Sequence, residues 1–143
     1  MRLFVKRCYP VFINVYTVGA LYLLYFGVAR DFPDSPFKIN YSPFQTIIEY
    51  VTTVLPYRPG EFSQNILGNI ILFIPYGFLG VLYPKLNHFK WLLLVFFITI
   101  NIIEFSQYYF NRGFADIDDV ILNTFGVTIG FLIYKKWFFI KGK

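Results

Sequence analysis

The chain has 143 residues, enough for one domain, and 57% of them are hydrophobic while only 15% are charged. This composition excludes an ordinary soluble domain, whose surface needs more charge to stay wetted. The net charge of +5 requires no nucleic-acid partner. In a membrane protein, positive residues set the topology and also attract anionic lipids.

Four apolar stretches are long enough to cross a bilayer, whose hydrocarbon core takes about 20 helical residues. They cover residues 11–29, 65–83, 91–110 and 117–134. The sequence therefore predicts an all-α membrane protein with four transmembrane helices in a single domain, residues 1–143. The first stretch follows a basic start, as a signal peptide does. It exceeds the roughly 7–15 apolar residues of a cleaved signal, so we expect an uncleaved anchor helix.

Between the first two stretches, residues 43–55 place apolar side chains at helical spacing with polar ones between them. The start of this segment matches a capping box, with Ser42 as N-cap, Pro43 at the first helical position and Gln45 as the partner. The segment is too short to span a bilayer. We expect an amphipathic helix that lies on the membrane surface or covers the helix bundle.

The distribution of lysine and arginine predicts the orientation, because positively charged short loops stay in the cytoplasm. Of the 13 basic residues, nine lie in the two terminal segments and in the loop 84–90, and four lie in the opposite loops. Both termini should therefore be cytoplasmic. The loop 30–64 and the link 111–115 should then face the cell exterior.

Polar residues recur near the predicted outer ends of three helices. At a rise of about 1.5 Å per residue, Asn69, Glu104 and Asn123 lie at one level, roughly 6–11 Å below those ends. An ionisable residue at this depth is costly and usually faces a bundle interior. The candidate ligand-binding residues, here called the polar cluster, are Asn65, Asn69, Glu104, Gln107, Arg112, Asp119 and Asn123.

Small residues and a proline indicate how the helices pack. Gly126 and Gly130 form a small-xxx-small stripe on the face of the fourth stretch that carries its polar-cluster residues. In the second stretch, Pro75 removes a backbone hydrogen bond and predicts a kink, while Gly77 allows close approach of a neighbour.

The residue types limit the chemistry. The single histidine, His88, lies in the loop between the second and third stretches, so His-dependent phosphatases, Ser-His hydrolases and His-ligated zinc sites are excluded. Carboxylates and amides instead suit a hard cation such as Mg²⁺ or Ca²⁺. Its candidate ligands are Asp116, Asp118 and Asp119. The outward helix N-termini, with Arg58 and Arg112, suit an anionic headgroup equally well.

Each of these residues also has a structural interpretation. Asp116 with Asp119 fits an N-cap and its partner at the start of the fourth helix. Amide and carboxylate contacts between helices can simply hold the helices together, at about 1 kcal/mol or less each.

Three motifs in order resemble the VanZ-like family of small bacterial membrane proteins. They are "NILGNIILFIPYGFLG" (65–80), "IIEFSQ" (102–107) and "RGFADIDDVILNTFGVTIG" (112–130), and "INYSPFQTI" (39–47) is similar to that family's first external segment. The residues that correspond to the family's motif positions are Asn65, Asn69, Pro75, Gly77, Glu104, Gln107, Arg112, Asp116, Asp119, Asn123 and Gly126.

The resemblance implies a protein of the Gram-positive cell envelope, since the founding member of the family is associated with low-level teicoplanin resistance. A non-enzymatic function follows, in which the polar cluster binds or shields an outer-leaflet amphiphile. The partners are then membrane lipids together with a lipid-linked wall precursor or a lipoglycopeptide.

Two alternatives belong to other classes. One is a metal-assisted enzyme acting on a lipid-linked phosphate or headgroup, with Glu104 as the catalytic general base and the three aspartates holding Mg²⁺ or Ca²⁺. The other is a small exporter, which would require a dimer and a membrane carboxylate closer to mid-bilayer than Glu104.

Overall fold

The computed structural model describes residues 2–26, 39–110, 112 and 115–138. In this part of the chain, four helices are long and apolar enough to cross a membrane. They are Val5–Phe26, Pro59–Val81, Phe89–Tyr109 and Ile117–Trp137, here called the first, second, third and fourth spanning helices. The prediction of an all-α membrane protein with four spans is confirmed. The last residues of the first predicted span, 27–29, lie outside the described residues.

The second spanning helix is irregular and begins at Pro59 rather than at 65. Pro59 suits a first helical position, where no backbone N–H is needed and φ is already fixed. The helix starts as α (Pro59–Phe62), widens to π (Ser63–Leu67), returns to α (Gly68–Phe73) and ends as 3₁₀ (Ile74–Val81). Pro75 lies at the start of the 3₁₀ segment, where the helix tightens.

Tyrosines of the first helix bond to carbonyls beside this irregularity. The hydroxyl of Tyr9 donates to the carbonyl of Pro75 at 2.8 Å, and that of Tyr16 donates to the carbonyl of Leu72 at 3.0 Å. No water is present in a bilayer core to satisfy backbone groups, so side-chain hydroxyls of a neighbouring helix are the natural partners. These bonds fasten the first helix to the second.

The fourth spanning helix is the centre of the bundle. Half of its most apolar stretch (50%) is buried inside the protein, whereas the buried share is 17% or 22% in the other spanning helices. The core combines one stripe of this helix with residues of the second and third helices. Its members are Phe73, Leu92, Phe96, Ile100, Val120, Val127, Phe131 and Tyr134.

The second and fourth helices meet backbone to backbone at glycines. A Cβ atom on Gly126 would overlap the carbonyl oxygen of Ile70, and one on Gly130 would overlap that of Ile74. A Cβ atom on Gly77 would overlap the backbone of Gly130 in return. The second and fourth helices are therefore held at a separation that only glycine permits at these positions.

A short helix lies at the end of the bundle where the second helix begins, the third ends and the fourth begins, here called the loop end. This loop helix, residues 45–54, is α-helical over Gln45–Glu49 and π-helical over Tyr50–Val54. It follows a two-residue strand, Ile39–Asn40, that pairs in parallel with Ala115–Asp116 just before the fourth helix.

The predicted capping box of the loop helix is wrong. The residue before the first turn is Phe44, in the left-handed region at φ 66°, and no side chain of its own segment caps the helix. Ser42 instead donates its backbone N–H to Oδ1 of Asn40 at 3.0 Å. The cap comes from a distant part of the chain.

Candidate functional site

Four polar side chains are buried in the described part of the chain, and all lie toward the loop end of the third and fourth helices. Their exposed fractions are 7% for Glu104, 5% for Gln107, 0% for Asp118 and 1% for Asn123. Such groups are rarely buried unless they are paired, so each partner matters.

The second and fourth helices share a polar contact at this level. Nδ2 of Asn69 donates to Oδ1 of Asp119 at 2.7 Å. One turn further along the fourth helix lies Asn123, whose Oδ1 accepts no hydrogen bond from any described residue. Asp119 and Asn123 are four residues apart, so both lie on the stripe that continues through Gly126 to the second helix.

Glu104 belongs to the buried stripe of the third helix. Leu92, Phe96, Ile100 and Glu104 follow one another at intervals of four residues and are all buried. Ile100 packs in the same core cluster as Val120 and Val127, and Glu104 lies one turn closer to the loop end. From this register, we expect the Glu104 carboxylate to lie near the level of Asp119 and Asn123. Asn69, Glu104, Asp119 and Asn123 are called the inner polar group below.

Gln107 has a fastening role. Its side-chain amide nitrogen, Nε2, donates to the carbonyl oxygen of Leu24 at 2.8 Å. The neighbouring Ser106 shares a hydrogen bond with the hydroxyl of Tyr25. The end of the third helix is thereby joined to the end of the first.

Two members of the polar cluster lie apart from the inner polar group. Nδ2 of Asn65 donates to the carbonyl of Glu61 in its own helix at 2.9 Å. Arg112 is exposed, and its guanidinium carbon lies 5.2 Å from the ring centroid of Phe26. Arg58, the other predicted anion-binding residue, pairs with Glu61 at 3.1 Å on the surface.

Asp118 caps the loop helix from the start of the fourth helix. Its Oδ1 accepts the backbone N–H of Phe44 at 2.5 Å, and its Oδ2 accepts that of Ile47 at 3.1 Å. A carboxylate at a helix N-terminus satisfies free N–H groups and interacts favourably with the helix dipole. The same bond offsets the cost of holding the bulky Phe44 at positive φ.

Asp116 makes a second connection between the same two segments. Its Oδ2 accepts from the Thr46 hydroxyl at 2.6 Å, and its Oδ1 accepts from Nδ2 of Asn40 at 3.2 Å. Oδ1 also accepts the backbone N–H of Asp118 at 2.9 Å, which is the N-cap of the fourth helix expected from the sequence. Sequence reasoning missed Asn40 and Thr46, although both lie in the segment 39–47 that resembles the family's first external motif.

The three aspartates proposed as metal ligands are therefore engaged with different partners. Asp116 and Asp118 accept donors from the loop segment, and Asp119 accepts the amide of Asn69. No group of three or more His, Cys, Asp or Glu residues that could hold a metal ion occurs among residues 2–26, 39–110, 112 and 115–138. A single Mg²⁺ or Ca²⁺ shared by the three aspartates does not fit this arrangement.

We expect Asp118→Asn to loosen the loop helix without unfolding the bundle. The amide keeps one oxygen for a backbone N–H but loses the second acceptor and the charge, and loss of a helix cap costs about 0.5–2 kcal/mol. Hydrogen exchange at the Phe44 and Ile47 amides should become faster, by about tenfold for each 1.4 kcal/mol. Glu61→Gln is the control, since it alters only an exposed ion pair. Unchanged exchange in Asp118→Asn would show that the carboxylate does not cap the helix.

The family of the chain is shown by comparison with family models. No curated protein and no solved structure matches the chain. The VanZ/LLP1 family model matches residues 13–140, which include the second, third and fourth spanning helices, the first from residue 13 onward, and every residue of the inner polar group. The chain therefore belongs to the VanZ/LLP1 family.

Proposed function

We propose that this chain is a multi-pass protein of the cell membrane that lowers susceptibility to lipoglycopeptides such as teicoplanin by binding or shielding an outer-leaflet amphiphile at the loop end. The observation that carries the proposal is the inner polar group, of which Glu104 and Asn123 are buried among apolar helices, next to a loop helix that Asp118 caps, in a chain of the VanZ/LLP1 family.

The proposed orientation places both termini in the cytoplasm and the loop end outside. It rests on the uneven distribution of the 13 lysine and arginine residues. Outside the membrane is also where lipid-linked wall precursors and lipoglycopeptides are encountered.

The loop end suits a molecule with a polar head and an apolar tail. Asn123 is buried within the bundle and Asp119 is partly buried, while Ile48 and Val51 of the loop helix are 59% and 46% exposed. Exposed apolar side chains next to membrane-spanning helices favour contact with acyl chains. A ligand that is itself a membrane component would use both features.

Expression in a susceptible Gram-positive host tests the proposal. The inhibitory concentration of teicoplanin should rise several-fold, and that of vancomycin, which has no acyl chain, should rise less. The control is the same host carrying an empty vector. Equal rises for the two drugs, or no rise at normal membrane abundance, would contradict the proposed function.

A further inference from the structure

One asparagine of the third spanning helix faces outward near the middle of the helix. Asn101 is the thirteenth of the 21 residues of Phe89–Tyr109, about 12 Å from the nearer helix end at a rise of about 1.5 Å per residue. Its side chain is exposed, so in a single copy of the chain it faces the acyl chains of the bilayer. Polar residues at such a depth usually face the interior of a bundle. The position of Asn101 therefore indicates an interface that a single copy leaves open.

The amide of Asn101 is only partly used within the chain. Its Nδ2 donates to the carbonyl oxygen of Phe97 at 2.7 Å, and its Oδ1 accepts no hydrogen bond from any residue that the structure describes. A side-chain amide has two N–H donors and a carbonyl acceptor, so one donor and the acceptor remain, and acyl chains offer no partner for either. Thr99 is exposed as well, but its single hydroxyl hydrogen is donated to the carbonyl of Val95.

Asn101 lies within an apolar stripe on the outside of the third helix, here called the outer stripe. The outer stripe consists of Leu94, Phe97, Asn101 and Phe105. Spacings of three, four and four residues place these side chains on one helix face, apart from the buried stripe of the same helix. The three apolar members are 49%, 53% and 64% exposed. In coiled coils, a single asparagine within an apolar seam specifies the register and the number of helices that associate.

A second copy of the same chain supplies the missing partner. Copies inserted with the same orientation have parallel third helices, so a twofold axis along the membrane normal brings two Asn101 side chains together at the same depth. An amide is complementary to itself, because the free N–H of each copy can be donated to Oδ1 of the other. A different membrane protein would need a polar group of its own at this depth, whereas the second copy has one by symmetry.

We infer that the chain forms a parallel dimer through the outer stripe, with Nδ2 and Oδ1 of Asn101 exchanging hydrogen bonds between the two copies. Amide contacts of this kind join helices in membranes, where the hydrophobic effect does not drive association. The apolar members of the outer stripe pack around the amide pair and exclude lipid from it. The interface does not include Glu104, which lies on the buried stripe, so the dimer is independent of the proposed ligand.

Cysteine cross-linking of the full-length chain in membranes tests which face makes the contact. The background is Cys8→Ser, which removes the single native thiol. Leu94→Cys and Phe105→Cys should each give a disulfide-linked dimer on oxidation, because residues near the twofold axis meet their own copies. Val95→Cys is the matched control, since Val95 is 44% exposed but lies about 100° further around the helix than Leu94. Equal cross-linking of Leu94→Cys and Val95→Cys, or none in either, would overturn the inference.

Energy transfer between labelled copies in phosphatidylcholine liposomes tests the role of the amide. Cys8 is exposed and is the single cysteine of the chain, so it can carry either the donor or the acceptor dye. Asn101→Leu should weaken association about tenfold, which corresponds to about 1.4 kcal/mol. Asn101→Gln retains the amide and should lose less. Asn14→Leu is the control and should associate like the wild type, because Asn14 is an equally exposed amide in the first helix that donates to the carbonyl of Pro10.

The outcomes distinguish the possible partners of the outer stripe. Wild-type association of Asn101→Leu, or loss of association in Asn14→Leu alone, would overturn the inference. A cross-link from Leu94→Cys to a different membrane protein, without energy transfer between copies, would assign the stripe to that protein and equally overturn the dimer. The melting temperature confirms that Asn101→Leu is folded, as expected for leucine at a lipid-facing position. If that variant does not fold, the comparison of Leu94→Cys with Val95→Cys decides.

Discussion

Gly126→Leu is expected to prevent the second and fourth helices from packing and to remove most of the folded protein from the membrane. A Cβ at this position would overlap the carbonyl oxygen of Ile70, and backbone cannot turn aside as a flexible side chain can. Overpacking of a core costs about 1–3 kcal/mol where side chains can adjust, so a larger loss is expected here. Membrane abundance and the melting temperature in detergent measure the effect.

The matched control is Gly19→Leu in the first helix. Gly19 is exposed, and a Cβ there would meet nothing within 4 Å. This variant should keep normal abundance and melting temperature, since leucine is also the better helix former. If the two variants behave alike, the close approach of the second and fourth helices is not what stabilises the bundle.

The number and type of helices could be predicted from the sequence because span length is fixed by the bilayer. The stripe of Asp119, Asn123, Gly126 and Gly130 was equally accessible, because residues three and four apart share a helix face. The structure places Gly126 and Gly130 of that stripe against the second helix. Helical periodicity thus identifies a face, and the chain's own glycines indicate what lies opposite.

The cap of the loop helix could not be predicted in the same way. Local rules search for a capping side chain next to the helix, and Ser42 satisfied them. The actual cap, Asp118, is separated from Phe44 by 74 positions and approaches only after the helices have assembled. Both partners are nevertheless in segments that resemble family motifs.

The tyrosines of the first helix were missed for a related reason. In the sequence alone, nothing distinguishes Tyr9 and Tyr16 from the other aromatic residues of an apolar helix. Their hydroxyls donate to the carbonyls of Pro75 and Leu72, which lie on either side of the change from α to 3₁₀ in the second helix. Helix propensity is a property of a single segment, whereas these hydrogen bonds form only between two packed helices.

Arg112 received a functional interpretation because of its charge, and that interpretation stays a prediction. Position along the chain placed it beside the acids of the fourth helix. In the structure its guanidinium lies over the ring of Phe26, a cation–π contact with the end of the first helix. Closeness in sequence to a candidate site does not fix where a long, flexible side chain points.

Glu104→Gln is expected to abolish the proposed teicoplanin protection in a protein that still folds. Glutamine keeps the length and shape of the side chain and removes the cost of burying a charge, so the melting temperature should hold or rise. If the carboxylate binds the ligand, the loss of its negative charge should return the inhibitory concentration to that of the host with an empty vector. Abundance, melting temperature and inhibitory concentration are measured on the same preparations.

Glu49→Gln provides the comparison, because Glu49 is an exposed carboxylate on the loop helix and its neutralisation changes the net charge equally. This variant should retain full protection. The reason to expect a difference is energetic. Asn69 and Asn123 already supply neutral polar groups at the depth of Glu104, so a buried carboxylate that served only to join helices would be an avoidable cost. Normal abundance with undiminished protection in Glu104→Gln would mean that the charge has no function and that the inner polar group is a structural contact.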